Sequence, residues 1–314
     1  SADRYAPGGL GNEHDLVGRF FMEHPHVPSA SLRLSSPKAL HAHRLHFSLY
    51  AHRFGFESRP PFFHLDVGTD TQRSERILNG HLRLDTRSSG LRSAQTLMRR
   101  ARSRSRTLRN GRETWEDMKS VATDPKSVVS GLVRTLPGND SRDYRFGRLN
   151  VLTIAEQAPN PNSRVTLGDE RDAFGLRKPE LKWELSELDK RSVRRLNQIF
   201  AREIARTDVG RVQVSEWLHD SDEWDPDNPA RPPRYMLEGP SPPRFWGVRH
   251  HMGTTRMASS PQKGVCNKHC RVHGVDNLYV AGSSVFPTVG SAPPTLTIVA
   301  LAARLAGHLV KDSC

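Results

Sequence analysis

Residues 277–310 read NLYVAGSSVFPTVGSAPPTLTIVALAARLAGHLV, and this stretch indicates the fold of the C-terminal part of the chain. NLYVAG has the pattern of a short buried strand, and SSVFPTVGSAPP is a loop of small residues and prolines. An apolar helix is predicted from Thr295 to Val310, with Pro294 well placed for its first turn. A strand, a loop and a helix in this order are typical of an α/β unit, in which ligands bind beside the loop. Taken alone, the same helix has the pattern of an ordinary core helix.

The loop after the predicted strand is built to approach a ligand closely. Small residues at Ala281, Gly282 and Ser284 allow a bulky cofactor to lie against the backbone. The helix that begins near Pro294 directs its free N–H groups and the positive end of its dipole towards the loop. An anionic reduced ring would be stabilised there.

Residues 250–257 read HHMGTTRM and contain the first candidate for acid–base chemistry. A histidine with a pKa near neutrality is the usual general base. The neighbouring Gly253 lets a ligand approach the backbone. On its own this pattern is weak, because a single histidine is more often a structural or surface group.

Residues 266–273 contain the spacing C-x-x-H-C-x-x-H, which offers four possible zinc ligands. Gly264 and Gly274 flank the segment, which leads directly into the predicted strand. In an extended chain the adjacent His269 and Cys270 would point in opposite directions. We therefore predict no metal site here.

The composition of the whole chain excludes several classes of protein. It has 314 residues, of which 35% are hydrophobic and 26% charged, as in ordinary globular proteins. Three cysteines are too few for a disulfide scaffold. No run of residues approaches the roughly 20 apolar residues of a membrane-spanning helix.

The formal net charge of +13 comes mainly from residues 92–112, RSAQTLMRRARSRSRTLRNGR, which contain eight arginines and no acidic residue. Such a run is either a phosphate-binding arm or a solvated helix face or mobile insertion. It contains no aromatic residue on which a base could stack, which favours the second interpretation. Nucleic-acid binding through Arg92–Arg112 is therefore a minor alternative.

Further elements are predicted along the chain. Residues 31–36 and 43–50 alternate partly, as strands do. Residues 151–157, VLTIAEQ, and 164–167, RVTL, predict two strands that form a hairpin or a strand pair with a longer loop. Asp189 is predicted to cap a helix in which apolar residues recur at helical spacing, namely Val193, Leu196, Ile199, Phe200 and Ile204.

Two C-terminal stretches together carry a family resemblance: HHMGTTRM at residues 250–257, and RVHGVDNLYVAGSSVFPTVGSAPPTLTIVALAARLAGHL at residues 271–309. They resemble the glucose–methanol–choline (GMC) family of oxidoreductases, which oxidise alcohols with FAD. EQAPNPNSRVTLGDERDAFG, residues 156–175, is similar to the hairpin of the family's substrate domain. GNEHDLVGRFFMEHPHV, residues 11–27, resembles the crossover from the FAD domain into the substrate domain.

The resemblance implies a role for His250. In the family, the histidine at this position is the general base that takes the hydroxyl proton while the carbinol carbon gives hydride to flavin N5. Family members usually carry a second polar residue, His or Asn, where this chain has Pro293. Proline has no side-chain donor or acceptor, so one base would act alone or with help from water or another side chain.

The resemblance also implies where FAD would bind. The candidate residues are Ala281, Gly282 and Ser284 in the loop, with Pro294, Thr295 and Leu296 at the start of the helix. Gly282 stands where many relatives place a residue, often Asp, that contacts the ribityl or pyrophosphate chain. Here only backbone N–H groups could make that contact.

The fold implied is α+β: an antiparallel-sheet substrate domain with helices, plus a C-terminal strand–loop–helix remnant of a Rossmann-like FAD domain. Residues 1–18 would be the tail of the FAD domain and the crossover. Residues 19–247 would form the substrate-binding domain, with an Arg-rich insertion at about 66–145. Residues 248–314 would return into the FAD domain.

The N-terminal GxGxxG unit that binds the ADP half of FAD in the family is absent from the sequence. Gly8-Gly9-Leu10-Gly11 is the nearest approach to it. We therefore expect the chain to be the C-terminal portion of a longer enzyme that lacks an N-terminal FAD-binding half. By itself it would bind FAD poorly and have little activity. The alternative is a catalytically inactive truncated fragment.

The expected partners are a small-molecule alcohol and an electron acceptor, either oxygen or a quinone-like compound. The sequence names neither the alcohol nor the acceptor. We expect no nucleic-acid partner and no membrane span. Any targeting signal would lie on the N-terminal part that we expect to be missing, so the location is left open, with cytoplasmic as the default.

Overall fold

The structure is a computed structural model that describes residues 8–35, 64–85, 148–219 and 249–312, together with positions 115, 118, 119, 121, 122, 125, 224 and 247. The arginine-rich run, the strand predicted at residues 43–50 and most of residues 220–246 lie outside these ranges. The strands are β1 (His26–Leu34), β2 (Leu65–Asp66), β3 (Gly80–Asp85), β4 (Arg148–Ala155), β5 (Arg164–Arg171), β6 (Arg177–Lys182) and β7 (Gly210–Val214). Within the continuous described ranges, the α-helices are α1 (Thr69–Glu75), α2 (Glu187–Arg206) and α3 (Thr295–Asp312).

The main layer is a five-stranded sheet with the order β2-β3-β4-β1-β7. Every neighbouring pair in it is antiparallel. Alternate residues point to one face, where Leu32, Leu82 and Val151 are buried against Phe200 of α2. The antiparallel sheet with a packed helix confirms the mixed α and β architecture predicted for the middle of the chain.

Helix α2 begins at a capping box. Ser186 is the N-cap, its side chain accepts from the backbone N–H of Asp189, and the Asp189 carboxylate accepts from the backbone N–H of Ser186. The prediction that Asp189 itself caps the helix was therefore wrong by three residues. Val193, Leu196 and Phe200 are buried as the helical spacing predicted. Oδ1 of Asp189 also accepts from the backbone N–H of Ala158 at 2.6 Å, which ties the helix to the chain after β4.

The two strands predicted at residues 151–157 and 164–167 exist, but they do not pair. β4 pairs with β1 and β3, whereas β5 pairs with β6 in a separate two-stranded sheet. The turn at residues 158–163 is held by α2 and by the segment before β1, so it redirects the chain instead of closing a hairpin. The structure thus corrects the hairpin prediction.

The C-terminal region has little regular structure before α3. Residues 277–282 do not form the predicted strand. In the described part of the chain they make one isolated β-bridge, between Tyr279 and Arg271. A strand needs a neighbour along its length, and the described residues offer only the short segment 270–272. The predicted helix is present as α3. Its inner face packs on a cluster that includes Met22, Met252 and Phe286.

Two further features singled out in the sequence are the Gly8–Gly11 loop and the lack of a membrane-spanning run. A Cβ added at Gly11, where φ is +66°, would lie 2.3 Å from the side chain of Val272, so the backbone at Gly11 lies directly against the C-terminal region. Within the described ranges, no helix has the length and apolar character required to cross a membrane.

Candidate active site

Three chain segments converge around His250: residues 18–24, 250–257 and 283–285. The backbones of Met22 and Met252 exchange hydrogen bonds of 2.9 and 3.0 Å, and the N–H of Gly18 donates to the carbonyl of Thr254 at 2.8 Å. On the other side, the N–H groups of residues 253, 255 and 257 donate to the carbonyls of residues 283, 284 and 285. The candidate base therefore lies between the crossover segment and the candidate cofactor loop.

Gly253 allows the segments 250–257 and 18–24 to lie close together. Its φ is +92°, and a Cβ there would lie 2.2 Å from the carbonyl oxygen of Phe20. Phe20 and Arg249 also have positive φ values, 59° and 67°. Such backbone costs roughly 1–3 kcal/mol per residue and persists where the surroundings fix it. The conformation on both sides of His250 is thus set by contacts between segments.

The carboxylate of Glu23 organises the backbone at the site. Its Oε2 accepts from the backbone N–H of His250 at 3.1 Å and from that of His24 at 3.2 Å. Its Oε1 lies 3.1 Å from Nε2 of His251. Glu23 is 3% exposed, and a Cβ added at Gly247 would lie 2.9 Å from its Cδ. One buried carboxylate therefore fixes both ends of the histidine contact described next.

The imidazoles of His24 and His250 are in direct contact. Their Nδ1 atoms are 3.2 Å apart, and the rings meet edge to face at a centroid distance of 5.1 Å. His24 is 1% exposed and His250 is half-buried. Because two Nδ1 atoms at this distance share one hydrogen, one ring donates and the other accepts.

Further histidines lie beyond His24 on the sheet. His26 in β1 and His81 in β3 are both paired with Ile154 of β4, so they lie on either side of it. Burial, followed by the charge of His250, lowers the pKa of His24 to about 4. Burial and neighbouring histidines lower the pKa of His26 to about 3 and that of His81 to about 4. These rings are neutral at pH 7, so the histidines that lie behind His250 carry no charge.

Two serines connect the candidate cofactor loop to the base segment. The hydroxyl of Ser283 donates to the carbonyl of His251 at 2.6 Å. The hydroxyl of Thr255 donates to that of Ser284 at 2.7 Å. Ser284, predicted to contact a cofactor, thus has a partner within the protein. The guanidinium of Arg256 lies 4.4 Å from the ring centroid of Phe20 and closes the far side of the segment.

The other predicted cofactor residues form two exposed surfaces. Gly282 has φ +129° and ψ −177°, which favours glycine, and a Cβ there would meet no atom within 4 Å. Ala281, Thr295 and Leu296 are exposed, and Pro294 is buried. Both surfaces are anchored on the cluster that holds Val285 and Phe286 from the loop and Ile298 from α3.

The Cys/His spacing at residues 266–273 has a packing role. Cys266 is buried, its thiol donates to the carbonyl of Thr255, and burial raises its pKa to about 12. His273 contacts the carbonyl of Ala258, and the exposed His269 stacks on His308 of α3. Among the described residues no group of three or more His, Cys, Asp or Glu side chains is arranged to hold a metal ion.

No motif in the sequence pointed to Glu23 or His24 as site residues. Both lie in the segment MEHPH, which the resemblance assigned to the crossover but to which no role was given. Acidic and imidazole groups in an apolar segment leading into a strand were the available signal. Their partner His250 is more than two hundred residues away, a contact that periodicity cannot indicate.

Comparison with known proteins finds similarity to one family over part of the chain. Residues 159–302 match the family model described as GMC oxidoreductase. The chain is 29% identical over 315 residues to 2-methyl-1,2-propanediol dehydrogenase from Mycolicibacterium austroafricanum, covering 98% of this chain and 44% of the relative. It is 24% identical over 188 residues to the fructose dehydrogenase large subunit of Gluconobacter japonicus, covering 60% of this chain and 30% of the relative. The chain thus spans less than half the length of these relatives.

Solved structures of similar shape are also found. Formate oxidase from Aspergillus oryzae RIB40 has a TM-score of 0.43 at 16% identity, covering 96% of this chain and 48% of that one. Pyridoxine 4-oxidase from Mesorbium loti has a TM-score of 0.42 at 12% identity, covering 94% and 44%. At these scores the likeness is too distant to support an inference.

Proposed function

We propose that the protein is part of an FAD-dependent oxidoreductase acting on CH–OH groups, with His250 as its general base. The match of residues 159–302 to the GMC oxidoreductase family model supports this proposal. The observation that carries this proposal is the contact of His250 with His24 on a segment hydrogen-bonded to the loop at residues 283–285. A half-buried imidazole fixed in this way has the chemistry that alcohol deprotonation requires.

His250 would take the hydroxyl proton on the ring nitrogen that does not face His24. FAD, when bound, supplies the acceptor for the hydride that leaves the carbinol carbon. His24 and His26 are neutral at pH 7. They therefore do not oppose protonation of His250 by charge repulsion. Glu23 keeps the backbone of His250 in place while the ring gains and loses its proton.

The residues present fit FAD at two places. The open side of Gly282 leaves room for a bulky group against the backbone, where a side chain would project. The first turn of α3 exposes Thr295 and Leu296, and the first N–H groups of a helix lack partners within the helix. Ala281, Gly282, Pro294, Thr295 and Leu296 would hold the cofactor. Ser284 would act by joining the loop to Thr255.

One face of α3 supports the further proposal that this chain works with an additional FAD-binding half. Leu296, Val299 and Val310 are 81%, 60% and 66% exposed on the side of the helix that turns away from the cluster. An apolar helix usually buries both sides when it belongs to a larger core. We therefore expect the chain alone to bind FAD weakly and to turn over little alcohol.

The substrate would be a small-molecule alcohol, and the electron acceptor oxygen or a quinone-like compound. The relatives are named for a diol and a sugar, which places a panel of diols and sugars first among the alcohols to test. The predicted domain boundaries, after residues 18 and 247, remain a prediction.

The experiment follows flavin reduction in the chain joined to an N-terminal FAD-binding half. Replacing His250 with Ala should slow alcohol-dependent flavin reduction, followed anaerobically by absorbance, by about 10²-fold or more. His269→Ala is the matched control, because His269 is exposed and stacks on His308 far along the chain. An unchanged reduction rate in His250→Ala would refute the role of the base. No reduction by any alcohol in the unsubstituted protein would favour the inactive fragment.

A further inference from the structure

His24 touches the proposed base and has no role in the proposed function beyond that contact. Nδ1 of His24 and Nδ1 of His250 share one hydrogen at 3.2 Å. Which ring carries it decides the chemistry, because a neutral imidazole has one N–H and one lone pair. If His24 donates, the remaining hydrogen of His250 lies on Nε2, and that nitrogen cannot accept a proton. If His250 donates, its Nε2 carries the lone pair.

The role proposed for His250 requires the second arrangement, because its Nδ1 faces His24 and Nε2 is the nitrogen left to take the hydroxyl proton. The ring of His24 is fully buried and neutral at pH 7, since burial lowers its pKa to about 4. Its Nε2 has no hydrogen-bond partner among the described residues, whereas its Nδ1 faces His250. In the second arrangement Nδ1 of the neutral His24 ring is the lone pair that accepts from His250, and the hydrogen of His24 lies on Nε2.

The Glu23 carboxylate makes this arrangement rigid. Because one oxygen accepts from the backbone N–H groups of both His24 and His250, the two residues cannot separate without breaking a charge-assisted hydrogen bond. Glu23 is itself held, because its own N–H donates to Oε1 of Gln157 at 2.9 Å. Oε1 of Gln157 also accepts from Nε1 of Trp183. The geometry of the pair is thus fixed from the sheet side.

We propose that His24 is the positioning residue of His250: its Nδ1 accepts the Nδ1–H of His250, which keeps Nε2 of His250 unprotonated and able to act as base. The proposal rests on the function proposed above for His250. In the reaction the hydroxyl O–H bond breaks and an Nε2–H bond forms on His250. The resulting imidazolium still donates Nδ1–H to His24, whose lone pair stabilises the new charge. After the hydride has left the carbinol carbon, the Nε2 proton passes to solvent, and this restores the neutral pair.

The test reads the protonation of each ring nitrogen directly and needs neither flavin nor alcohol. The ¹⁵N-labelled chain is studied by long-range ¹H–¹⁵N spectroscopy at pH 7.5, with His250→Gln and His24→Asn used to assign the two rings. We expect His250 to carry its hydrogen on Nδ1 and His24 to carry its hydrogen on Nε2. A hydrogen on Nε2 of His250 in the unsubstituted chain overturns the proposal.

Two substitutions separate acceptor chemistry from packing. His24→Leu keeps the volume but removes the acceptor, and it should move the hydrogen of His250 to Nε2. His24→Asn places an amide oxygen near the position of Nδ1, and it should retain the hydrogen on Nδ1 of His250. His26→Leu, two residues along the same segment, is the control that should leave the His250 signals unshifted. Equal ¹⁵N shifts of His250 in the Leu and Asn variants would contradict the proposal.

The outcomes are distinguishable from those of the proposed function. If the nitrogen shifts are as expected while His250→Ala reduces flavin normally, the histidine pair exists and the proposed base is wrong. If His250→Ala abolishes flavin reduction while His250 carries its hydrogen on Nε2, the base stands and the role of His24 is wrong. If His24→Leu does not fold, the ¹⁵N shifts of the unsubstituted chain still show whether the hydrogen of His250 lies on Nδ1 or on Nε2.

Discussion

The sheet with α2 and the loops around His250 are stabilised in different ways. In the first region, regular hydrogen bonding between strands places alternate apolar residues against one face of a helix. In the second, three irregular segments are joined by individual backbone hydrogen bonds, one buried carboxylate and glycines at positive φ. The sheet region is therefore stabilised mainly by the packing of buried apolar side chains, and the site region by a small number of specific polar contacts.

This difference separates the scaffold from the candidate chemistry. Regular elements bury apolar surface efficiently and leave few polar groups available. Loops can bring titratable groups together, provided that a fixed contact such as that of Glu23 offsets the cost of ordering them. The site lies where the two meet, because the segment carrying Glu23 and His24 leads directly into β1.

The largest expected effect is in the sheet region. Leu196 of α2 is fully buried, so Leu196→Ala should lower the free energy of unfolding by about 2–5 kcal/mol. Urea unfolding followed by circular dichroism measures this change. Leu188→Ala, on the same helix at 37% exposure, is the control and should cost far less. Similar losses in the two variants would mean that α2 is not packed as described.

A smaller effect is expected in the loop region. Gly253→Ala would force a Cβ to within 2.2 Å of the Phe20 carbonyl at a φ of +92°, and should cost roughly 1–3 kcal/mol. Hydrogen exchange should show the loss concentrated at residues 18–24 and 250–257, with β1 and β4 protected. Gly307→Ala in α3 is the control of opposite sign, because a Cβ there meets no atom within 4 Å and alanine favours helix by about 0.5–1 kcal/mol. Equal destabilisation by both would contradict the assignment of strain to Gly253.

The smallest effect is the pH dependence contributed by one buried ring. Burial and the neighbouring His64 lower the pKa of His81 to about 4, whereas the unfolded chain titrates near 6.5. Between these values the unfolded state binds more protons, so the free energy of unfolding should fall as the pH is lowered from 6.5 to 4. This one ring contributes a slope of at most about 1.4 kcal/mol per pH unit. His81→Phe should flatten the slope of unfolding free energy against pH, and an identical slope in both proteins would contradict the prediction.

Several features could be predicted from the sequence because they depend on local pattern. The apolar spacing of Val193, Leu196 and Phe200 predicted the buried face of α2, and Pro294 with the apolar run predicted α3. The start of α2 was placed three residues late because Ser186 and Asp189 are both good capping residues, and the reciprocal bond between them decides. Strand pairing could not be predicted, since β4 pairs with strands distant in sequence and not with the next one.

The sequence by itself predicted the similarity to the GMC oxidoreductase family that the model match over residues 159–302 supports. HHMGTTRM and the C-terminal loop and helix were sufficient, because residue types at fixed spacing do not depend on the rest of the fold. It also identified His250 as the candidate base. Only the tertiary structure brought Glu23 and His24 to that histidine. Their contacts join residues on opposite ends of the chain, and such contacts depend on how the strands and loops pack and not on any local periodicity.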